Sequence, residues 1–140
     1  MEIRIACEDD YEHALELDKL VMGTDKRKQF LIQRIRHDRM YITVDGDRLV
    51  GFITFETNFI GCLYISLLVV HPDVRRRGVA RRMIQTVARH SRNGKLFSST
   101  EEDNDVSIQM HEALGFRRSG YIENLPQPSR EIIYYKELSS

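Results

Sequence analysis

The chain has little cysteine: Cys7 and Cys62 stand far apart with no CxxC spacing. That argues against a disulfide framework or a thiolate zinc site and leaves two reduced, partly buried thiols. It also lacks a long apolar run. Nowhere do apolar residues continue for the about 20 that span a bilayer, and "MEIRIACEDD" carries acids where a secretory leader needs a basic and then an apolar segment. A cytoplasmic protein with no membrane partner is expected. Charge of neither sign is in excess, 21 Lys and Arg against 21 Asp and Glu, so no global field draws the chain to nucleic acid or lipid. Of three prolines, Pro126 and Pro128 share "NLPQPSR", which reads as one loop inside a domain. Repeats, low-complexity tracts and Gly/Ser linkers are missing too. A chain of 140 residues then implies a single domain, 1–140, with no metal site.

What is there is a regular alternation of strand and helix patterns. Ile3 and Ile5 alternate in a short strand, and "EDDYEHALELDKLV" follows with Ala14, Leu15, Leu17 and Leu20 at helical spacing after an acidic start. Beyond Gly23, "TDKRKQFLIQRIRHD" predicts a second helix with Phe30, Leu31 and Ile35 toward the core. Two alternating runs around Asp45-Gly46, "MYITV" and "RLVGFITFE", predict a β-hairpin. "CLYISLLVV" has the near-continuous apolar character of a central strand. Past Gly78, the apolar pairs Val79-Ala80, Met83-Ile84 and Val87-Ala88, spaced by four, make one helical stripe, with Arg81, Arg82 and Arg89 off it. "KLFSST" predicts a strand, Asn104 caps a helix stopped by Gly115, and "FRRSGYIE" and "EIIYYKEL" close the chain as strands. The order βααβββαβαββ predicts a mixed α/β fold.

The unusual stretch is "VVHPDVRRRGVARRM", Val69 to Met83. A strand, a short loop and a helix N-terminus together make an anion site, because orphan N–H groups point outward and the helix dipole adds positive potential. Gly78 lets backbone approach a phosphate closely. A solvated basic helix start is the plain alternative. The stretch has no GKS or GKT ending and no GxGxxG, so neither a Walker loop nor a dinucleotide fold is supported.

Two motifs then carry a family resemblance. Arg75-Arg-Arg-Gly78-Val-Ala80, at the end of the apolar strand and the start of a helix, resembles the acyl-CoA signature R/Q-x-x-G-x-G/A of the GNAT acetyltransferases (Gcn5-related N-acetyltransferases). Downstream, Asn104, Ser107, His111, Gly115 and Phe116 fall at the spacing of that family's N-x-x-A/S-x-x-x-Y/H-x-x-x-G-F. The element order is similar over almost the whole chain.

The resemblance implies a GNAT-like mixed sheet whose splayed central strand pair holds CoA. It implies acetyl-CoA as cosubstrate, with the pyrophosphate on backbone N–H groups of Arg76, Arg77, Gly78, Val79, Ala80 and Arg81, and the arginines from Arg75 onward at the rim. Main-chain groups of Leu68, Val69 and Val70 would pair with the pantetheine arm, and an amide near Val70 would stabilise the oxyanion. An alkylammonium acceptor, with a pKa near about 10, must lose a proton before it attacks. Glu101 and Glu102 are candidates to take it, or else are ordinary acidic residues ahead of a helix. Tyr64 lies near the position where some protein-acetylating relatives carry a catalytic glutamate, so that carboxylate is missing here. His111 stands where many members have the tyrosine that protonates the departing thiolate; the alternative is a helix-surface histidine. Asn104 combines a helix cap with a reach toward pantetheine.

The function expected is transfer of an acetyl group from acetyl-CoA to a primary amine of a small molecule or peptide. The alternatives are a protein N-terminal or lysine acetyltransferase, a CoA-binding regulator without turnover, and a nucleic-acid-binding module using the basic residues from Arg75 to Arg92. Balanced charge leaves the last only a generic patch and no specific nucleic acid. The oligomeric state stays open, a homodimer included.

Overall fold

The structure, a computed structural model, describes residues 1–139. In chain order the elements are β1 (Glu2–Ile5), α1 (Tyr11–Met22), α2 (Lys28–Arg36), β2 (Met40–Asp45), β3 (Arg48–Phe59), β4 (Cys62–Val70), α3 (Val79–Ala88), β5 (Lys95–Glu101), α4 (Asp105–Ala113), β6 (Arg117–Ile122) and β7 (Glu131–Glu137), with 3-10 turns at Glu8–Asp10 and Pro72–Val74. This is the order that the sequence pattern implies. The seven strands are hydrogen-bonded in the order β1-β2-β3-β4-β5-β7-β6. The sheet is mixed, because β4 runs parallel to β5 while β1 with β2, β2 with β3, and β7 with β5 and β6 are antiparallel. No helix among the described residues is long and apolar enough to cross a membrane.

Backbone contacts divide the chain into two compact units, Met1–Phe55 with Leu67–Arg89, and Glu56–Ser66 with the chain from His90 onward. In the first unit, β2 and β3 form the hairpin around Asp45-Gly46, with Met40 opposite Thr54 and Ile42 opposite Phe52. Ala14 and Leu17 of α1 and Leu31 and Ile35 of α2 bury against Met40, Ile42, Phe52 and Val69. Fully burying such side chains stabilises by about 1.5–3 kcal/mol each. Leu20, expected in the core, is instead 59% exposed. It lies beyond Leu17 at the edge of a face filled by Ala14, Leu17 and Asp18, with Leu15 and Val21 partly buried beside them. Asp18 is buried on α1 and takes a bidentate ion pair from Arg27, tying the start of α2 to α1.

On the other face of the first unit, α3 lies over β3. Gly51 makes this possible: a Cβ there would sit 3.1 Å from Met83 Cε, 3.3 Å from Val69 O and 3.3 Å from Val79 Cγ1. The stripe of α3 is the expected one, with Val79, Met83, Ile84 and Val87 buried and Arg81, Arg82 and Arg89 exposed.

In the second unit, the end of β3 and the start of β4 meet at Ile60 and Gly61, both left-handed at φ 50° and 77°. Strand β4 registers with β5 from Leu63↔Leu96 to Ile65↔Ser98, and β5 with β7 from Lys95↔Glu137 to Glu101↔Glu131. Period-2 alternation sorts the side chains onto two faces. Leu96, Ser98 and Tyr134 lie on one face with His111 of α4. Tyr64, Phe97, Ser99 and Tyr135 lie on the other, where Phe59 stacks on Tyr64 at 4.5 Å between ring centroids. The two thiols are free; Cys7 is exposed, against expectation, and Cys62 is partly buried.

Candidate active site

The loop after β4 is built in two halves. In the first, His71 N–H donates to Val50 O at 2.8 Å, Asp73 N–H to His71 Nδ1 at 3.0 Å and Val74 N–H to His71 O at 3.1 Å, and Val74 is buried. That anchors the chain where it leaves the strand. The second half is Arg75, Arg76, Arg77 and Gly78, all exposed. Arg76 has φ 64° and Gly78 has φ 78° with ψ 11°, two left-handed residues within three positions. Glycine adopts this conformation freely; arginine does so at a cost of roughly 1–2 kcal/mol. Strain of this kind, in a turn of successive N–H groups, is characteristic of anion-binding concavities.

Helix α3 then starts at Val79, with Arg82 N–H donating to Gly78 O at 3.0 Å as its first bond. The N–H groups of Val79, Ala80 and Arg81 precede that bond and are orphan donors. No side chain among the described residues caps them. A Cβ added at Gly78 meets no protein atom within 4 Å, so the glycine is not explained by packing inside the chain. Donors, dipole, open approach and exposed arginines fit a pyrophosphate, and they come from Arg75, Arg76, Arg77, Gly78, Val79, Ala80 and Arg81 together. Leu68, Val69 and Val70 form the last part of β4 just before it.

In the second unit, Asn104 Oδ1 accepts the Ser107 N–H at 3.1 Å, so its capping role is realised. His111 is 3% exposed, which excludes a surface histidine. Its Nδ1 lies 2.8 Å from Ser107 O, a pure acceptor, so Nδ1 carries the proton and donates. Nε2, at 2.7 Å, then accepts from Ser98 Oγ. The ring stacks on Tyr134 at 4.5 Å and meets Phe116 edge-on at 5.3 Å. Burial holds the imidazole below its ordinary pKa, an effect only partly offset by the Ser107 carbonyl and the Glu131 charge. Both ring nitrogens are engaged inside the protein.

Glu101 Oε1 accepts from Ser129 Oγ at 3.0 Å and Glu102 Oε2 from Arg130 Nε at 2.6 Å. The Arg130 guanidinium holds the Glu102 carboxyl below the usual range, which weakens it as a base. Arg130 also lies over the Tyr121 ring at 4.2 Å. Glu102, Arg118, Gly120, Tyr121, Arg130 and Ile132 line an open cleft of about 580 Å³ that also includes Asp103.

One set of polar groups escapes sequence reasoning. Tyr64 Oη lies 2.6 Å from Ser99 Oγ, Ser99 Oγ donates to Glu131 Oε2 at 2.6 Å, and Gln127 Nε2 donates to Glu131 Oε1 at 2.9 Å. The missing carboxylate on β4 was legible at Tyr64. Nothing local announces that β7 brings one to within two hydrogen bonds of it.

Comparison with known proteins gives the class. Residues 5–116 match the acetyltransferase (GNAT) family. The chain is 35% identical to an acetyltransferase of the GNAT family from Bacillus cereus ATCC 10987, with TM-score 0.86 over 99% of this chain and 98% of the other. The chain therefore belongs to the GNAT acetyltransferase family. It is also similar in fold to an aminoglycoside 6'-N-acetyltransferase complexed with coenzyme A, at 17% identity and TM-score 0.78 over 100% of this chain and 98% of that one. Among curated sequences it is 29% identical, over 72% of its length, to the UPF0157 protein YqkA of Bacillus subtilis (strain 168). The match spans 33% of that longer protein.

Proposed function

We propose that the chain is an acetyl-CoA-dependent N-acetyltransferase whose acceptor is a primary amine. The observation that carries the reading is the turn from β4 into α3, with Arg76 and Gly78 both left-handed and the α3 donors uncapped among the described residues, in a GNAT-family chain. When bound, acetyl-CoA supplies an acetyl group already activated as a thioester. The N–H groups from Arg76 to Arg81 hold the pyrophosphate, Arg75, Arg76 and Arg77 neutralise it, and main-chain groups of Leu68, Val69 and Val70 orient the pantetheine arm. Asn104 caps α4.

His111, in this reading, positions α4 against β5 through Ser98 and is not the proton donor to the leaving group. Loss of CoA does not require one, since a thiol of pKa about 8.5 leaves tolerably as thiolate. The cleft lined by Glu102 and Asp103, with Arg118 and Arg130 beside them, is open enough for an amine acceptor, whether small molecule or peptide. A cytoplasmic location agrees with two free thiols.

The test is release of CoA thiol from acetyl-CoA with a panel of amines, amino acids, polyamines, aminoglycosides and peptides. Transfer to a primary amine is the expected result. Tight acetyl-CoA binding without transfer to any member would instead leave a CoA-binding regulator. Tight nucleic-acid binding at physiological salt would replace the reading altogether.

A further inference from the structure

We propose that Arg48, the first residue of β3, is a positioning residue for the turn from β4 into α3: it holds the Asp73 carboxylate away from Arg75, Arg76 and Arg77 and so keeps their charge for the pyrophosphate of acetyl-CoA. The inference rests on the acetyl-CoA reading of that turn and names the group outside it that keeps it ready for an anion. All of these residues lie in the first compact unit.

The need for such a group follows from the charge of the turn itself. From Val69 to Met83 the chain carries five arginines, Arg75, Arg76, Arg77, Arg81 and Arg82, and one acid, Asp73. Asp73 stands two residues before Arg75, and its side chain is 66% exposed. A carboxylate so placed competes with an incoming phosphate for the same guanidinium groups, since both accept their charge-assisted hydrogen bonds. The structure commits it elsewhere. Asp73 Oδ2 accepts from Arg48 Nη2 at 3.1 Å, across a separation of 25 residues. Arg75, Arg76 and Arg77 form no ion pair among the described residues.

The hairpin and His71 set the place of Arg48. Arg48 pairs in register with Asp45 at the closed end of the hairpin, and two residues further along β3 Val50 O takes the His71 N–H at 2.8 Å, which brings the loop beside the strand. His71 fills the space between. Its Nδ1 accepts the Asp73 N–H at 3.0 Å, its side chain is 14% exposed, and Arg48 Nη2 lies 2.7 Å from Nε2 and 3.4 Å from Nδ1. The imidazole thus fixes the Asp73 backbone and backs the guanidinium that holds the Asp73 side chain. The turn Pro72–Val74 is pinned with its carboxylate on Arg48, and the chain enters the strained Arg76 with its arginines unspent.

An exposed ion pair contributes little to folding, so its effect is read in binding. The experiment is a double-mutant cycle on wild type, Arg48→Met, Asp73→Asn and the double variant, with Arg48→Lys as the conservative control. Each protein is titrated calorimetrically with CoA at low and at physiological ionic strength, and each is melted without ligand. Arg48→Met is expected to weaken CoA binding by about three- to fivefold at low salt with little change in melting temperature, and added salt shrinks the loss. Asp73→Asn restores affinity to within about twofold of wild type when Arg48 is already Met, yet changes it less than about twofold on its own. Arg48→Lys, which keeps the charge, retains most of the affinity. Unchanged CoA affinity in Arg48→Met overturns the proposal. So do additive effects, with Asp73→Asn tightening CoA equally in both backgrounds, because Arg48 would then act as one more positive charge. A fall in melting temperature and affinity together that Asp73→Asn rescues in neither also overturns it and leaves the pair a structural brace, while the acetyl-CoA reading stands. A wild-type chain that binds no CoA overturns both.

Discussion

Helix α4 starts at Asn104, whose side chain accepts the Ser107 N–H at 3.1 Å, whereas α3 starts at Gly78, which has no side chain to offer and enters the helix at φ 78°. The two starts meet the same physical need, donors with no carbonyl four residues back. One meets it from within the chain. At the other, no side chain among the described residues does so, and its approach carries strain at Arg76. A capped terminus is a device for stability; an uncapped, strained and arginine-flanked one gives up stability, as the proposed anion site requires. Substitutions at the two starts are therefore expected to separate ligand binding from folding.

The largest effect is expected at α3. Gly78→Glu puts a side chain with negative charge at the proposed pyrophosphate site, and acetyl-CoA affinity is expected to fall by about 100-fold or more. The variant stays folded with a lowered melting temperature, since a non-glycine residue at φ 78° costs roughly 1–2 kcal/mol but its Cβ meets no protein atom within 4 Å. Isothermal titration with acetyl-CoA, beside a melting curve without it, reads both. Unchanged affinity would break the contrast. At α4 the sign reverses: Asn104→Ala costs about 1 kcal/mol of stability by denaturant unfolding, and Asn104→Asp restores most of it.

Acid sensitivity belongs to the α4 side as well. Burial keeps the His111 pKa low in the folded protein, so below about 6.5 the unfolded chain binds a proton that the folded chain does not. Stability contributed by this group is complete above that value and is lost as pH falls from it toward the folded pKa. Melting temperatures across pH 5 to 7.5 are expected to fall on acidification in wild type and to fall less in His111→Gln. An identical slope in the two proteins would move the acid sensitivity elsewhere. The smallest effect is at the rim of the α3 turn. Arg77→Gln weakens acetyl-CoA binding by about two- to fivefold, because an exposed charge near a helix terminus is worth about 0.3–1 kcal/mol, and added salt erodes the difference.

Local features were legible in the sequence. The hairpin at Asp45-Gly46, the strand Cys62–Val70, the Asn104 cap and the stripe of α3 all depend on residues within a few positions of one another. What escaped depends on the fold closing. Arg76 is left-handed because the anchored chain on one side and α3 on the other dictate its φ, which its side chain disfavours. The sequence leaves His111 as a candidate proton donor or a helix-surface residue, and only the covering by β5 and β7 reveals it buried against Ser98 and Tyr134. Glu101 and Glu102 read as free carboxylates because Ser129 and Arg130 lie 28 residues further on. The Tyr64–Ser99–Glu131 chain spans separations of 35 and 32 residues and exists only through the register of three strands.

The chain does not complete its two compact units one after the other. Glu56–Ser66 interrupts the sequence of the first unit, yet its strand partner in the second, β5, begins only at Lys95 and is flanked on its other side by β7, which lies between β5 and β6 in the sheet. A ribosome reads from the N-terminus, so the nascent chain presents the Phe59–Tyr64 aromatic pair before Phe97 or Tyr135 has been made. During synthesis that hairpin waits for the last third of the chain before Phe97, itself backed by Tyr135, can pack against it, so its aromatic face is covered late.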